Sequence, residues 1–320
     1  MHLPESAREW FAQLAERLRQ QDHKPRIVFP EGDDPRVQQA AHKLSQDGLV
    51  EPVLLSSHAG GAPPEYARYL YARRKNKGLT ERQAEELAGT NLYTAAIMVA
   101  TGEAAGMVGG AAHTTADTVR AAFHCIGPAP GVETVSSYFV VAGQDRSFGH
   151  GGMLIFADCS VVVNPTAAEL TDIAIASAGT TRRLLSTEPL VALLSFSTRG
   201  SAKHACIDRV AEALKMIHAR EPGLLVDGEL QADAALVPSV GVFKAPGSVV
   251  AGYANTLIFP DVGAGNIAVK LVERLGHALT LGPFLQGLAK PANDLSRGCS
   301  SDDIYASAVI TALQSVDAAV

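Results

Sequence analysis

The chain has 320 residues, a formal net charge of −6 and 47% apolar residues, which is enough for about two domains of roughly 150 residues each. The acidic balance argues against nucleic acid as the main partner, because phosphate backbones bind basic surfaces. The uncharged run at residues 245–260 is too short and too broken by Pro and Gly to span a membrane.

The N-terminal segments predict helices that alternate with strands. Ser6 and Glu9 have the spacing of a capping box, and apolar residues follow at helical spacing. A short apolar strand at residues 27–29 precedes Asp34 and Pro35, which are typical of the N-cap and first position of a helix. A second apolar strand completes the unit, and this order implies a parallel sheet with crossover helices.

The same alternation continues along the chain. Capping boxes at Thr80–Gln83 and Thr166–Glu169 predict the starts of two further helices. The apolar segments ETVSSYFVV and MLIFADCSVVV predict strands on either side of the turn QDRSFGHGG. A last helix is predicted from about Asp302 to Val316. The fold class indicated is α/β.

Two clusters of Pro and Gly indicate changes of domain, GPAPG at residues 127–131 and LGPFLQG at residues 281–287. They predict a discontinuous first α/β domain, residues 1–130 plus 283–320, and a second α/β domain, residues 131–282. A cleft between two such domains is a common place for a ligand.

The segment KPANDLSRGCSSDDI, residues 290–304, brings polar side chains together where a loop enters the last helix. Ser300 and Asp303 have capping-box spacing, so Asp303 has a purely structural interpretation. The functional interpretation uses the same geometry: a helix N-terminus favours anions, Arg297 suits a phosphate and Ser296 can donate a hydrogen bond. Acyl transfer from an acyl phosphate requires such a hydroxyl, cation and carboxylate around one anion.

Motifs of several other enzyme classes are missing from the sequence. It contains no G-x-G-x-x-G after a strand, no P-loop and no G-x-S-x-G. Cys125, Cys159, Cys206 and Cys299 form no C-x-x-C, so neither a zinc site nor a disulfide is predicted, and free thiols in a reducing cytoplasm are expected. Cys299 offers an alternative mechanism, an acetyl-thioester enzyme, in which the helix N-terminus lowers the pKa of the thiol.

Over nearly its whole length the chain resembles the phosphate acetyltransferase (phosphotransacetylase) branch of the phosphate acetyl/butyryltransferases. GPFLQGLAKPANDLSRGCSSDDI resembles the family's C-terminal signature, and RIVFPEGDDPRVQQAA its first strand and helix. Further blocks follow in the family's order: GGAAHTTADTVRAA, FADCSVVVNPTAAELTDIAIASA, LLSFSTRGSA, VDGELQADAA and FPDVGAGNIAVK. The motif NPTAAELTDIA is similar to the short form associated with ethanolamine utilisation.

The resemblance implies two three-layer α/β domains with a cleft between them, similar to the isocitrate/isopropylmalate dehydrogenase-like fold, and a homodimer formed through the second domain. It implies reversible acetyl transfer between acetyl phosphate and coenzyme A, without a metal or redox cofactor. Ser296 and Arg297 match the S-R of D-L-S-R-G, and Asp303 matches the family's proposed base for the CoA thiol. Arg120 and Arg74 match arginines implicated in binding phosphate or CoA, with Arg73 adjoining the latter.

Two departures and two alternatives accompany this resemblance. Ala105 stands where many members carry Asp, and the segment around residues 56–66 is short for the family. Phosphate butyryltransferase is the alternative within the enzymes, although VDGELQ favours acetyl. A non-catalytic, acetyl-CoA-sensing module is the other alternative, and the presence of serine, arginine and aspartate together favours an enzyme. We expect the protein to be located in the cytoplasm, and the interior of a bacterial microcompartment counts here as part of the cytoplasm.

Overall fold

The computed structural model describes residues 4–56 and 62–317, so part of the short segment around residues 56–66 lies outside the described residues. The helices are α1 (Glu5–Arg19), α2 (Pro35–Gln46), α3 (Pro64–Arg74), α4 (Glu81–Ala88), α5 (Asn91–Thr101), α6 (Thr115–Cys125), α7 (Ala167–Leu185), α8 (Ala205–Arg220), α9 (Ala232–Leu236), α10 (Pro238–Lys244), α11 (Val262–Arg274) and α12 (Ser301–Asp317). The strands are β1 (Arg26–Phe29), β2 (Glu51–Leu54), β3 (Gly106–Gly109), β4 (Ser136–Ala142), β5 (Met153–Ala157), β6 (Leu190–Leu194), β7 (Leu225–Leu230), β8 (Thr256–Ile258), β9 (Leu279–Gln286) and β10 (Ala292–Asp294).

The chain forms two compact α/β units. The central unit comprises Met1–Ala12 and Val132–Gly287, and the terminal unit comprises Gln13–Gly131 and Leu288–Val320. The expected first domain included residues 1–12 and 283–287, which instead belong to the central unit. The reason at the second boundary is that β9 pairs with β4 as far as Gln286, so the strand runs past the expected break.

The terminal unit is built on a four-stranded sheet of order β10-β3-β1-β2 in which every pair is parallel. Helices α2 and α12 pack together on one face, and α3 to α6 cover the other around a core that includes Val28, Ile97 and Met107. Because the strands are parallel, their carboxyl ends meet at one edge, where ligands commonly bind in open α/β sheets. The loops that follow β1, β3 and β10 therefore lie side by side.

The central unit has a six-stranded sheet of order β7-β6-β8-β5-β4-β9. Its strands β5 to β8 pair in parallel, but β4 is antiparallel to both β5 and β9. Helices α7 and α8 cover one face, and α9 and α11 contribute to the core on the other, which includes Phe156 and Leu257. Trp10 of α1 donates from Nε1 to the Leu184 carbonyl at 2.7 Å, which attaches this helix to α7. The α/β class and the three-layer arrangement are confirmed.

The local signals for helix starts are confirmed in four of five places. Asp34, Thr80 and Thr166 are N-caps whose side chains accept backbone N–H bonds, and the box at Ser300 forms as well. The prediction at Ser6 is wrong, because α1 already begins at Glu5 and the buried Ser6 Oγ has no hydrogen-bond partner among the described residues. None of the helices in the described ranges combines the length and apolar character needed to cross a bilayer.

Candidate active site

The loop between β10 and α12, residues 295–300, is called the site loop here. It turns sharply, because Cys299 N donates to the Ser296 carbonyl at 2.9 Å and Gly298 N donates to Ser296 Oγ at 3.3 Å. Ser296, Arg297 and Gly298 are exposed, whereas Cys299 is buried. Within the described residues the Arg297 guanidinium has no hydrogen bond or ion pair, so it is open to an anion from solution.

Asp303 occupies the first turn of α12 and has the capping role that its spacing predicts. Its Oδ2 accepts hydrogen bonds from Ser300 N and Ser300 Oγ, both at 2.8 Å, and Ser300 Oγ accepts from Asp303 N at 3.2 Å. Among the described residues nothing donates to the second carboxylate oxygen, and the side chain is only half-buried. One oxygen therefore caps the helix while the other stays available as a proton acceptor.

Glu31, two residues after the end of β1, organises the loop that follows β3. Its Oε1 accepts backbone N–H bonds from Gly110 at 2.9 Å, Ala112 at 3.2 Å and His113 at 3.3 Å, and it lies 2.7 Å from His113 Nδ1. The Glu31 side chain is buried, and its Oε2 has no partner in the described part of the chain. A carboxylate of the protein itself thus fills this cluster of N–H groups and fixes the loop at the sheet edge.

Asp294, the last residue of β10, is a second buried carboxyl at the same edge. Its Oδ2 accepts from Thr115 Oγ1 at 2.6 Å, which connects the strand to the start of α6, while Oδ1 has no partner among the described residues. Burial, reinforced by the negative charge of Glu31, raises the pKa of Asp294 to about 6 despite the hydrogen bond from Thr115. The segment just before the site loop is therefore anchored by a carboxyl that is protonated in mildly acidic solution.

We expect Asp294→Asn to remove a pH dependence from the stability of the protein. The folded-state pKa of about 6 lies above the reference value of 3.8, so the folded protein binds the extra proton and its stability falls as the pH rises between these values. The amide stays neutral and still accepts from Thr115. Urea unfolding should show the variant gaining up to about 3 kcal/mol relative to wild type between about pH 4 and pH 7. A constant difference across this range would contradict the raised pKa.

Arg120 and Arg74 lie near one pair of side chains, Tyr93 and His124, whose hydroxyl and Nδ1 are 3.0 Å apart. Burial lowers the pKa of His124, and the positive charges of Arg74 and Arg120 lower it further. Arg120 is exposed and donates to Asp117 at 2.8 Å, whereas the Arg74 guanidinium has neither a hydrogen bond nor an ion pair within the described ranges. The fold therefore brings these two arginines into one basic region of the terminal unit.

Arg73, which adjoins Arg74, has a different role. Its Nη2 donates to the Ile126 carbonyl at 2.5 Å and packs against Gly127, whose φ of +74° favours glycine. This contact joins the end of α3 to the end of α6. Of the two neighbouring arginines, Arg74 is thus the one whose guanidinium is available to a ligand.

Cys299 does not have the reactive character expected from its position before a helix. The residue is 7% exposed, and burial raises the pKa of its thiol even though the Arg36 guanidinium opposes the shift. The expectation that the helix N-terminus lowers this pKa is wrong, because loss of hydration outweighs the nearby positive charge. A buried thiol of raised pKa is a poor nucleophile, which favours transfer without an acetyl-thioester enzyme.

A family model described as Phosphate acetyl/butaryl transferase matches residues 10–312. The chain belongs to this family. It is 45% identical to the phosphate acetyltransferase of Thermoanaerobacterium thermosaccharolyticum, over 91% of this chain and 95% of that relative. A phosphotransacetylase from Streptococcus pyogenes superposes with a TM-score of 0.89 at 40% identity, covering 97% of this chain and 99% of the other. EutD phosphotransacetylase from Staphylococcus aureus gives 0.85 at 37% identity, covering 96% and 98%.

For this member of the family, the five predicted site residues all fall in the terminal unit. Ser296, Arg297 and Asp303 lie in the site loop and the first turn of α12, and Arg74 and Arg120 lie near Tyr93 and His124. Reasoning from sequence missed Glu31, Arg36 and Asp294, although each stands in a quoted block: PEGDDPR for the first two and ANDLSRG for the third. Glu31 closely follows the predicted strand at residues 27–29, and that position was the available signal for it. Arg36 lies instead in a predicted helix, and no strand was predicted at Asp294.

Proposed function

We propose that this chain is a phosphate acetyltransferase, which transfers an acetyl group reversibly between acetyl phosphate and coenzyme A. The proposal is supported by family membership and by relatives of that name at 39–46% identity over most of the chain. The structural observation that carries it is the juxtaposition of an exposed serine–arginine pair, Ser296 and Arg297, with a carboxylate, Asp303, that keeps one oxygen free.

The reaction is a direct attack in a ternary complex. The free oxygen of Asp303 takes the proton from the CoA thiol, and the sulfur attacks the carbonyl carbon of acetyl phosphate. Ser296 donates a hydrogen bond to the carbonyl oxygen as negative charge develops on it. The new C–S bond forms as the C–O bond to the phosphoryl group breaks, and phosphate leaves with the electron pair. The proton on Asp303 then passes to phosphate or water.

The proton transfer has an energetic requirement. An ordinary thiol has a pKa near 8.5 and an ordinary aspartic acid one near 3.9, so transfer between them costs about 6 kcal/mol in water. Exclusion of water by bound CoA destabilises the charged form of the carboxylate, and the nearby cation of Arg297 stabilises the thiolate. Both effects reduce the cost inside the complex.

Different arginines bind the anionic groups of the two substrates. Arg297 holds the phosphoryl group of acetyl phosphate, because its planar guanidinium matches two phosphoryl oxygens. Arg74 and Arg120 bind phosphate groups of CoA and steer it to an otherwise acidic protein. Acetyl phosphate is already activated for transfer, so the reaction uses neither a metal nor a redox cofactor.

We further propose that the protein acts in the cytoplasm as a homodimer formed through the central unit. Large apolar side chains of that unit are exposed on α10, on α11 and just beyond it: Val242, Phe243 at 85%, Ile267, Leu271 and Leu275 at 76%. Apolar side chains exposed in such number commonly mark a protein interface.

The function is tested by following thioester formation from CoA, using the ultraviolet absorbance of the new bond, with acetyl phosphate and with butyryl phosphate. We expect turnover with both and a kcat/KM for acetyl phosphate higher by about 10-fold or more, since two methylenes are worth about 1–3 kcal/mol each in a fitted pocket. A preference for butyryl phosphate would indicate the butyryl enzyme. No turnover with either compound, together with retained CoA binding, would indicate the regulatory alternative.

A further inference from the structure

Arg36, the second residue of α2, forms a bidentate ion pair with the residue that caps its own helix. Its Nε donates to Asp34 Oδ1 at 3.1 Å and its Nη2 donates to Asp34 Oδ2 at 2.7 Å. Asp34 Oδ1 also accepts the Arg36 backbone N–H at 2.8 Å, and these hydrogen bonds lower the pKa of the carboxyl. The pair fixes the plane of the guanidinium relative to the N-terminus of α2.

The remaining donors of Arg36 reach two other loops. Nη1 donates to the carbonyls of Arg297 and Cys299, each at 2.9 Å, and Nη2 donates to the Ala111 carbonyl at 2.9 Å. A guanidinium has five N–H donors, and Asp34 accounts for the other two. Every donor of Arg36 is therefore used by the protein itself, and a phosphate could bind only if a protein contact were lost.

One planar group thus joins the loops that follow β1, β3 and β10. The two carbonyls that it holds in the site loop belong to Arg297 and to Cys299, which lies four residues before Asp303. Fixing them fixes the direction of the Arg297 side chain and the entry of the chain into α12. Asp34 neutralises the charge of Arg36, so Arg297 remains the loop's uncommitted cation.

We propose that Arg36 is the positioning residue of the acyl-transfer site: it holds the backbone of the site loop so that Ser296, Arg297 and Asp303 keep their reactive arrangement, and it does not bind substrate. This inference deepens the proposed acyl transfer and rests on it. Its consequence is a separation of kinetic effects, because a residue that only aligns reacting groups acts on kcat, whereas a phosphate ligand acts on KM.

The kinetic test compares Arg36→Lys and Arg36→Gln with wild type, and Arg26→Gln serves as the matched control. Arg26 ties the opposite edge of the same sheet, through Glu51 at 3.1 Å and the Glu103 carbonyl at 2.7 Å. We expect kcat to fall by about 10- to 100-fold in both Arg36 variants, with KM for acetyl phosphate within about 2-fold of wild type. The control should lose stability without losing kcat. A raised KM with an unchanged kcat would overturn the proposal and make Arg36 a ligand.

A second readout follows the loop itself and does not depend on activity. Cys299 is buried with its Sγ 3.9 Å from Arg36 Nη1, so a released loop should expose it to iodoacetamide. Peptide mapping should find Cys299 alkylated in the Arg36 variants but not in wild type or Arg26→Gln. Cys125 and Cys159 serve as buried references in the same digest, and half-buried Cys206 as the accessible one. Unchanged labelling of Cys299 in soluble, folded Arg36 variants would overturn the positioning role.

The two readouts separate the two hypotheses. Suppose that the wild type is inactive but Arg36→Lys still exposes Cys299. This result would refute acyl transfer and support the role of Arg36 in holding the site loop. An active wild type with no change in kcat or labelling in either variant would keep acyl transfer and refute the role of Arg36.

Discussion

Asp303→Asn is expected to lower kcat by about 10²- to 10⁴-fold, the range typical for removal of a general base. The amide oxygen can still accept the Ser300 hydrogen bonds at the start of α12, but an amide cannot take the thiol proton. Initial rates of thioester formation at saturating acetyl phosphate and CoA measure the effect. The substitution separates the capping role of Asp303, which the structure shows, from its proposed role as the base.

The neighbouring carboxylate provides the control for this experiment. Asp302 is exposed and approaches Lys43 at 3.7 Å, so Asp302→Asn removes a similar negative charge from the same helix turn without touching the cap. We expect its kcat to stay within about 2-fold of wild type, and both variants to lose no more than about 1 kcal/mol in unfolding free energy. Full activity in Asp303→Asn would leave this residue with a capping role alone.

Arg297→Gln is expected to lower kcat/KM for acetyl phosphate by about 10²- to 10³-fold, comparable to the loss of one donor to a developing anion. The guanidinium is exposed and unengaged within the described part of the chain, so its removal should cost little stability. Steady-state kinetics with each substrate varied in turn should place most of the loss on acetyl phosphate, with a smaller change in KM for CoA.

Arg82→Gln is a suitable comparison for Arg297→Gln, because Arg82 is also exposed and forms a surface ion pair with Glu86 on α4. Arg297→Lys should recover part of the activity, since it restores the charge but not the bidentate geometry. If the glutamine variant lost affinity for CoA alone, Arg297 would be a CoA ligand and the phosphoryl group would need another partner.

The features that could be predicted from sequence are those whose physical cause is local. An Asp before a Pro, or a Thr three residues before a Glu or Gln, satisfies the N–H groups of its own helix, so Asp34, Thr80 and Thr166 were recognisable without knowledge of the fold. The predicted site residues rest on one short segment and on motif resemblance, and their chemical roles await the experiments above.

The hydrogen bonds of Arg36 to other loops differ from these features, because their physical cause is not local. Its partners in the folded chain lie 75 residues away at Ala111 and 261 and 263 residues away in the site loop. A single arginine near a helix start does not reveal such contacts, because they depend on which strand ends share an edge. The same limit applied to Cys299: its sequence position indicated a helix N-terminus, while its reactivity depends on burial, which distant residues determine.

The direction of the strands in the central unit could not be predicted from the residues of the strands themselves. The strands β4 and β5 are buried along almost their whole length, so they lack the alternation of apolar and polar residues that is common in antiparallel sheets. The turn QDRSFGHGG joins two consecutive strands without a helix and was the available sign of an antiparallel hairpin. The domain boundary predicted at residue 283 differs from that of the folded chain, because Pro283 lies inside β9. The Pro and Gly residues there belong to a strand of the central unit.

The place of β10 in the terminal sheet has a consequence for biosynthesis. This strand lies beside β3, yet the ribosome makes it only after the whole stretch Val132–Gly287 of the central unit. Until then, a nascent chain that has folded its first strands leaves β3 as an open sheet edge, which is prone to pairing with other chains. The site loop follows β10 directly, so a chain released early lacks this loop and carries an unprotected edge. Completion of synthesis thus closes the sheet and brings the site loop into place in the same event.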